Sequence, residues 1–123
     1  MTEKIMFPRT TIRLGMDAYQ EAAHATSLNT AIGGDLVAYP ALGLANEAGE
    51  VLGKLKKLYR DHDGRLTPDT KAALAAELGD CLWYIAELAT HLGLDLGAVA
   101  VGNLSKLQER QTAGRIQGEG DAR

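Results

Sequence analysis

A chain of 123 residues has room for one domain with a real core and little more. A hydrophobic fraction of 46% and a charged fraction of 24% are those of a globular protein and exclude a disordered one. A net charge of −3 with no Lys/Arg cluster argues against tracking a nucleic-acid backbone, and no apolar run approaches the ~20 residues that span a bilayer.

Aromatic residues make up only 5% of the chain, so Leu and Ala must fill the core. Both are strong helix formers, and few segments show the Val, Ile and Thr runs of strands. The single cysteine, Cys81, cannot form an internal disulfide, which fits a reducing compartment. Met1 to Phe7 has no apolar signal core. The sequence therefore reads as a soluble, cytoplasmic protein with no membrane or nucleic-acid partner.

The first predicted helix covers about Thr11 to Thr26, after Pro8, with Thr10 or Thr11 as its cap. Ile12, Leu14, Met16, Tyr19 and Ala23 are its apolar positions. Ser27 to Gly34, with Asn29, Gly33 and Gly34, reads as a loop. The second helix runs from near Pro40 to about Arg60, with Leu44, Val51, Leu55 and Leu58 at helical spacing. A polar turn, Asp61 to Arg65, carries a glycine stop.

The third helix has a clear start: Thr67 as N-cap, Pro68 at the first helical position and Asp69 in the first turn. Its apolar positions are Leu74, Leu78, Leu82, Ile85 and Leu92, and it should stop at Gly93. Asp95 is the predicted cap of a fourth helix, through Leu96, Val99, Leu104 and Leu107 to about Gln111. Short connections favour antiparallel neighbours, hence an all-α, four-helix bundle-like fold. Residues 1–113 read as one domain and 114–123 as a flexible Gly-rich tail. A bundle this small has a limited private core, so its apolar faces should be completed by oligomerisation.

Two acid pairs stand out. Glu47-Ala-Gly-Glu50 lies on the second helix and Glu77-Leu-Gly-Asp80 on the third. Residues three apart share a helical face, so each helix offers two carboxylates side by side. On facing antiparallel helices the pairs would converge as hard oxygen ligands for Mg²⁺ or Mn²⁺. At about 100° per residue, Leu44, Val51 and Leu55 lie within roughly 80° of Glu47, and Leu74 and Ile85 within roughly 80° of Glu77. Both pairs thus border the apolar stripes, where unpaired carboxylates repel each other and resist desolvation. Gly49 and Gly79 each sit between the acids of a pair at a cost of about 1 kcal/mol in helix propensity, which suggests close packing there.

The runs Tyr39-Pro-Ala-Leu-Gly-Leu-Ala-Asn-Glu-Ala-Gly-Glu50 and Ala76-Glu-Leu-Gly-Asp-Cys-Leu-Trp-Tyr84, with Asn103 and Lys106, resemble the MazG-like nucleoside triphosphate pyrophosphohydrolases. These belong to the all-α NTP pyrophosphatases, which also contain dimeric dUTPases and dCTPases. The resemblance spans about Tyr19 to Arg123. It implies that Glu47, Glu50, Glu77 and Asp80 hold Mg²⁺. It also implies cleavage of the α–β phosphate bond of an NTP or dNTP, giving the monophosphate and pyrophosphate. Such an activity would clean the nucleotide pool, in a homodimer or homotetramer. Many members carry a further acid just before the first motif acid. Here that position is Asn46, so the water-activating base falls to Glu47 or Glu50.

The same resemblance makes Asn103 and Lys106 substrate contacts, and Arg110 lies on their stripe of the fourth helix. Lys54 is placed for an i, i+4 ion pair with Glu50, and its face also includes Glu47, so it is a second candidate for phosphate. Tyr84, one turn beyond Asp80, is placed to stack on or hydrogen-bond a nucleobase, while Trp83 reads as packing. Glu87 and His91 read as surface groups, and His24 and His62 show no metal-ligand spacing. The ending Gly118-Glu-Gly-Asp-Ala-Arg123 resembles that of many MazG-like chains, so Asp121 and Arg123 could close over the site. Asn46 also makes room for an alternative, a non-catalytic nucleotide-binding or regulatory module on the same fold. A carboxylate di-iron protein ranks last, because neither acid pair forms a Glu-x-x-His unit.

Overall fold

The computed structural model describes residues 13–114. The described residues form four helices: α1 (Met16–Ala25), α2 (Ala38–His62), α3 (Pro68–His91) and α4 (Leu96–Thr112). The expected caps Thr10 and Thr11 and the C-terminal Gly118 to Arg123 lie outside the described residues. Within them, α1 starts later than the apolar spacing predicts. Gly15 is extended at φ −68°, ψ 156°, and takes the N-cap position, as a residue with low helix propensity readily does.

A tight turn at Gly33 and Gly34, both at positive φ, brings Ile32 and Asp35 into a two-way backbone pairing. Asp35 Oδ1 then accepts the Val37 amide at 2.8 Å and turns the chain into α2. This helix begins at Ala38, slightly before the predicted start. Pro40 therefore sits in the first turn, where its missing N–H has no intrahelical acceptor to lose.

The α2–α3 connection follows its local chemistry. Asp63 and Gly64 turn left-handed at φ +53° and +75°, and the Gly64 amide returns to the Leu58 carbonyl. Thr67 and Thr70 form a reciprocal capping box ahead of α3, with Pro68 in its first turn. At the far end Gly93 adopts φ +70°, and the Leu94 amide closes onto the Ala89 carbonyl at 2.9 Å. The chain then bends 104° into α4. Among the described residues no single helix is long and apolar enough to cross a membrane.

Helix α4 starts differently from expectation. Asp95 occupies the N-cap position but makes no side-chain cap bond. The free amides of Leu96 and Gly97 are taken by Gln20 Oε1 and Asp17 Oδ1 of α1, each at 2.8 Å. Gln20 also donates to Thr90 Oγ1 and to the Leu94 carbonyl, which ties α1 to the α3–α4 corner.

The most extensive packing joins α2 to α3, and α1 packs on both α3 and α4. Ala23, Ala86 and Leu96 form the buried cluster, with Tyr19 and Trp83 packed against it. On α2 the expected stripe holds: Leu58 is buried, and Leu44, Val51 and Leu55 are half-buried. On α3 it does not. Leu78, Leu82, Ile85 and Leu92 are exposed, and the buried face is Ala86, Glu87 and Ala89. Small residues let α1 approach α3 closely on that face, leaving the larger ones outside.

Candidate functional site

The α2–α3 pair places the two acid motifs side by side. Glu47, Glu77 and Asp80 each offer a carboxylate oxygen, and the three oxygens lie within 4.8 Å of one another. Glu47 and Glu77 are half-buried at the edge of the interhelical seam, while Asp80 and Glu50 are exposed. Glu50 is not one of the three that converge, although its charge reaches Glu47. Three of the four motif acids are gathered at the α2–α3 seam.

The carboxylates of the trio act on one another. Glu47 is held above the ordinary carboxylate value by burial first, then by the charges of Asp80 and Glu77, a hydrogen bond with Glu77 and the charge of Glu50. Such mutual repulsion is relieved by a cation among the oxygens. The all-oxygen donor set fits Mg²⁺ or Mn²⁺. Lys54 Nζ lies 3.7 Å from Glu77 Oε1, so this lysine pairs across the helices with the trio. The predicted partner was Glu50 along its own helix; the α2–α3 seam places Glu77 beside Lys54 instead.

Aromatic side chains wall the acids. A cleft of about 320 Å³ is lined by Glu47, Asp80, Trp83 and Tyr84. The Tyr84 ring packs edge-on to Trp83 at 5.0 Å between centroids and lies 6.2 Å from Tyr39. A hydrogen bond with Tyr39, then burial, then the charges of Tyr39, Glu47 and Asp80 raise the Tyr84 phenol above its ordinary value. Burial and the Asp80 charge do the same to Tyr19. Trp83 has a second role, since its indole donates to Thr26 Oγ1 at 2.8 Å and anchors the end of α1.

Close backbone approach occurs where Tyr84 lies against α2. A methyl group added at Gly43 would overlap the Tyr84 ring. The packing suggested for Gly49 and Gly79 is not found, because a Cβ at either would meet nothing within 4 Å. Those two glycines face outward from the seam.

The polar stripe of α4 does not join the trio in the single chain. Asn103 and Lys106 stand exposed on a helix that packs on α1 and α3 but not on α2. Arg110, expected beside them, is buried at 6% exposure, because its position turns toward the packed side of α4. The sequence reading also missed Tyr19 as a neighbour of Asp80 and Tyr39 as a neighbour of Tyr84. Tyr19 was legible only as an apolar position of α1. Tyr39 falls before the predicted start of α2.

Comparison with known proteins places the chain in a family. The model of the MazG nucleotide pyrophosphohydrolase domain matches residues 40–114, which hold both acid motifs, the Gly43 seat, Trp83 and Tyr84. The chain belongs to the MazG nucleotide pyrophosphohydrolase family. A relative, the Gene 37 protein of Mycobacterium phage L5, is 44% identical over 112 residues, covering 88% of this chain and 98% of its own length. No solved structure matches the chain significantly. The resemblance carried by the motif residues is thus borne out at the level of the family, and the helices fit its all-α fold. A nucleotide is the substrate class that membership implies.

Proposed function

We propose that this MazG-family chain hydrolyses the α–β phosphate bond of NTPs or dNTPs in a Mg²⁺-dependent reaction, releasing the monophosphate and pyrophosphate. Mn²⁺ would serve as a substitute. The cellular role is cleaning of the cytoplasmic nucleotide pool. The observation that carries the reading is the convergence of Glu47, Glu77 and Asp80 at the mouth of a cleft walled by Tyr84 and Trp83. Acids at one end suit a metal-bound triphosphate, and aromatic faces at the other suit a base.

Glu47, Glu77 and Asp80 are the proposed metal ligands, with Glu50 completing the set from one turn along α2. Bound Mg²⁺ would neutralise phosphate charge and lower the pKa of a coordinated water. The water-activating carboxylate comes from the Glu47–Glu50 pair. Tyr84 positions the nucleobase, and Lys54 reaches from Glu77 toward phosphate once a metal takes over that carboxylate. Asn103 and Lys106 are the further substrate contacts that α4 offers, while the buried Arg110 stays on the packed side of the helix. Since α4 does not touch α2 within one chain, a second copy in a homodimer or homotetramer would bring its polar stripe to the acids.

A panel of dNTPs and NTPs with Mg²⁺, assayed for pyrophosphate, tests the reading. Release is expected for at least one nucleotide, lost on chelation and in Glu50→Ala and Glu77→Gln. No release above the Glu50→Ala level from any nucleotide would sink it.

A further inference from the structure

Away from the acid trio, α1 and α3 bring together two imidazoles and a carboxylate. Glu87 is buried, at 2% exposure, and its two oxygens point to different partners. Oε1 lies 2.8 Å from His24 Nδ1, and Oε2 lies 3.2 Å from His91 Nε2. The rings meet edge-on, 5.7 Å between centroids at 78°. One atom from each residue lies within 4.8 Å of the other two.

We propose that His24, Glu87 and His91 form a second cation site, for a divalent transition metal of the zinc class. Two neutral imidazole nitrogens and one carboxylate oxygen are a borderline-soft donor set. That set selects Zn²⁺ or Co²⁺, whereas the all-oxygen trio selects Mg²⁺. Glu87 and His91 are four apart on α3, so the helix itself holds two donors on one face. Docking of α1 supplies the third. Because Glu87 already directs one oxygen to each ring, binding needs little rearrangement. His24 Nδ1 and His91 Nε2 take the metal; each faces a Glu87 oxygen as an N–H, so a neutral ring moves that proton to its opposite nitrogen, and a charged ring keeps the opposite proton and releases this one to water.

The surroundings give such a site an entry path and a consequence. The His24 side chain is 40% exposed and that of His91 10%, so a cation can enter past His24, and water can fill the position the protein leaves open. The site would clamp α1 onto α3. Helix α1 is the element that lends Asp17 and Gln20 to the start of α4 and Tyr19 to the neighbourhood of Asp80. Glu87 lies seven positions beyond Asp80, about 10 Å along α3, so the two sites would fill independently.

The test uses the full chain, stripped with chelator and returned to buffer holding excess Mg²⁺ to occupy the acid trio. Co²⁺ is then added alone. The expected result is one Co²⁺ per chain with a low-coordinate visible spectrum, bleached by Zn²⁺ and untouched by further Mg²⁺. His24→Ala and His91→Ala should each weaken binding at least about tenfold, while Glu47→Gln with Asp80→Asn should not. If the histidine variants fold poorly, the wild-type protein still decides. Zn²⁺ should shift the ring-nitrogen resonances of His24 and His91 and leave those of His62 in place. No Co²⁺ uptake under these conditions would overturn the proposal. So would a Co²⁺ spectrum retained in the double histidine variant, or a Zn²⁺ response confined to His62.

Discussion

The carboxylate of Asp17 on α1 accepts the amide of Gly97 at 2.8 Å, in the first turn of a helix 80 positions downstream. With Gln20 on the Leu96 amide, it does the work that Asp95 is placed to do and does not. Removing a side-chain N-cap typically costs about 1 kcal/mol. Asp17→Ala and Gln20→Ala should each lower the free energy of unfolding by about that much. Asp95→Ala should cost only a few tenths, from its charge near the helix dipole. Urea denaturation of the three variants checks the order; an Asp95→Ala loss exceeding that of Asp17→Ala would reverse it.

That pair also marks where sequence reading works here and where it stops. The start of α3 was legible because Thr67, Pro68 and Asp69 act within a single turn, to which the structure adds Thr70 as the partner of Thr67. Its end was legible because Gly93 supplies the left-handed residue locally. The acid motifs were legible because i, i+3 spacing fixes their shared face whatever the rest of the chain does. The α4 cap was not, since its acceptors come from α1. Glu87 looked like a surface acid for the same reason. Its burial depends on His24, 63 positions away, and on small residues at Ala86 and Ala89 that let α1 settle over it. Tyr19 reaches Asp80 only once α1 has docked, and Tyr39 reaches Tyr84 only once α2 has begun earlier than Pro40 suggests.

Gly43 and Gly53 lie on the same helix and should respond oppositely to alanine. At Gly43 the added methyl overlaps the Tyr84 ring, and at Gly53 it meets nothing within 4 Å. Gly43→Ala must displace the ring, an overpacking cost of about 1–3 kcal/mol. Gly53→Ala should gain up to about 1 kcal/mol of helix propensity. Thermal unfolding gives the sign of each. Nucleotide KM should also rise in Gly43→Ala, since Tyr84 forms one wall of the cleft, and stay level in Gly53→Ala.

Trp83, the single tryptophan of the chain, lines the same cleft as Glu47 and Asp80. Its fluorescence should therefore report nucleotide arrival directly. Titration with a Mg²⁺-bound, non-hydrolysable triphosphate should change the emission in a saturable way. The same nucleotide with chelator should give little change, and so should Mg²⁺-nucleotide with Glu47→Gln plus Asp80→Asn. Equal responses with and without Mg²⁺ would separate nucleotide binding from the acid trio.

The strongest unmet demand of the fold is the cover over its apolar side chains. Leu42, Leu52, Leu78, Val101 and Leu104 are between 59% and 67% exposed, spread over α2, α3 and α4. Full burial of one such side chain is worth roughly 1.5–3 kcal/mol. Leaving five of them in water is a large debt for a chain of 13.1 kDa. A second copy is the simplest cover, and the same docking would carry Asn103 and Lys106 toward the acids of a neighbour. Sedimentation should therefore give a mass of two or four chains. Leu52→Glu with Leu78→Glu should shift it toward the single chain, by placing charge where the interface must be dry. Pyrophosphate release should fall with the assembled fraction, and raising the protein concentration should restore part of both. A monomeric variant with full activity would show that one chain completes its own site and that α4 serves it some other way.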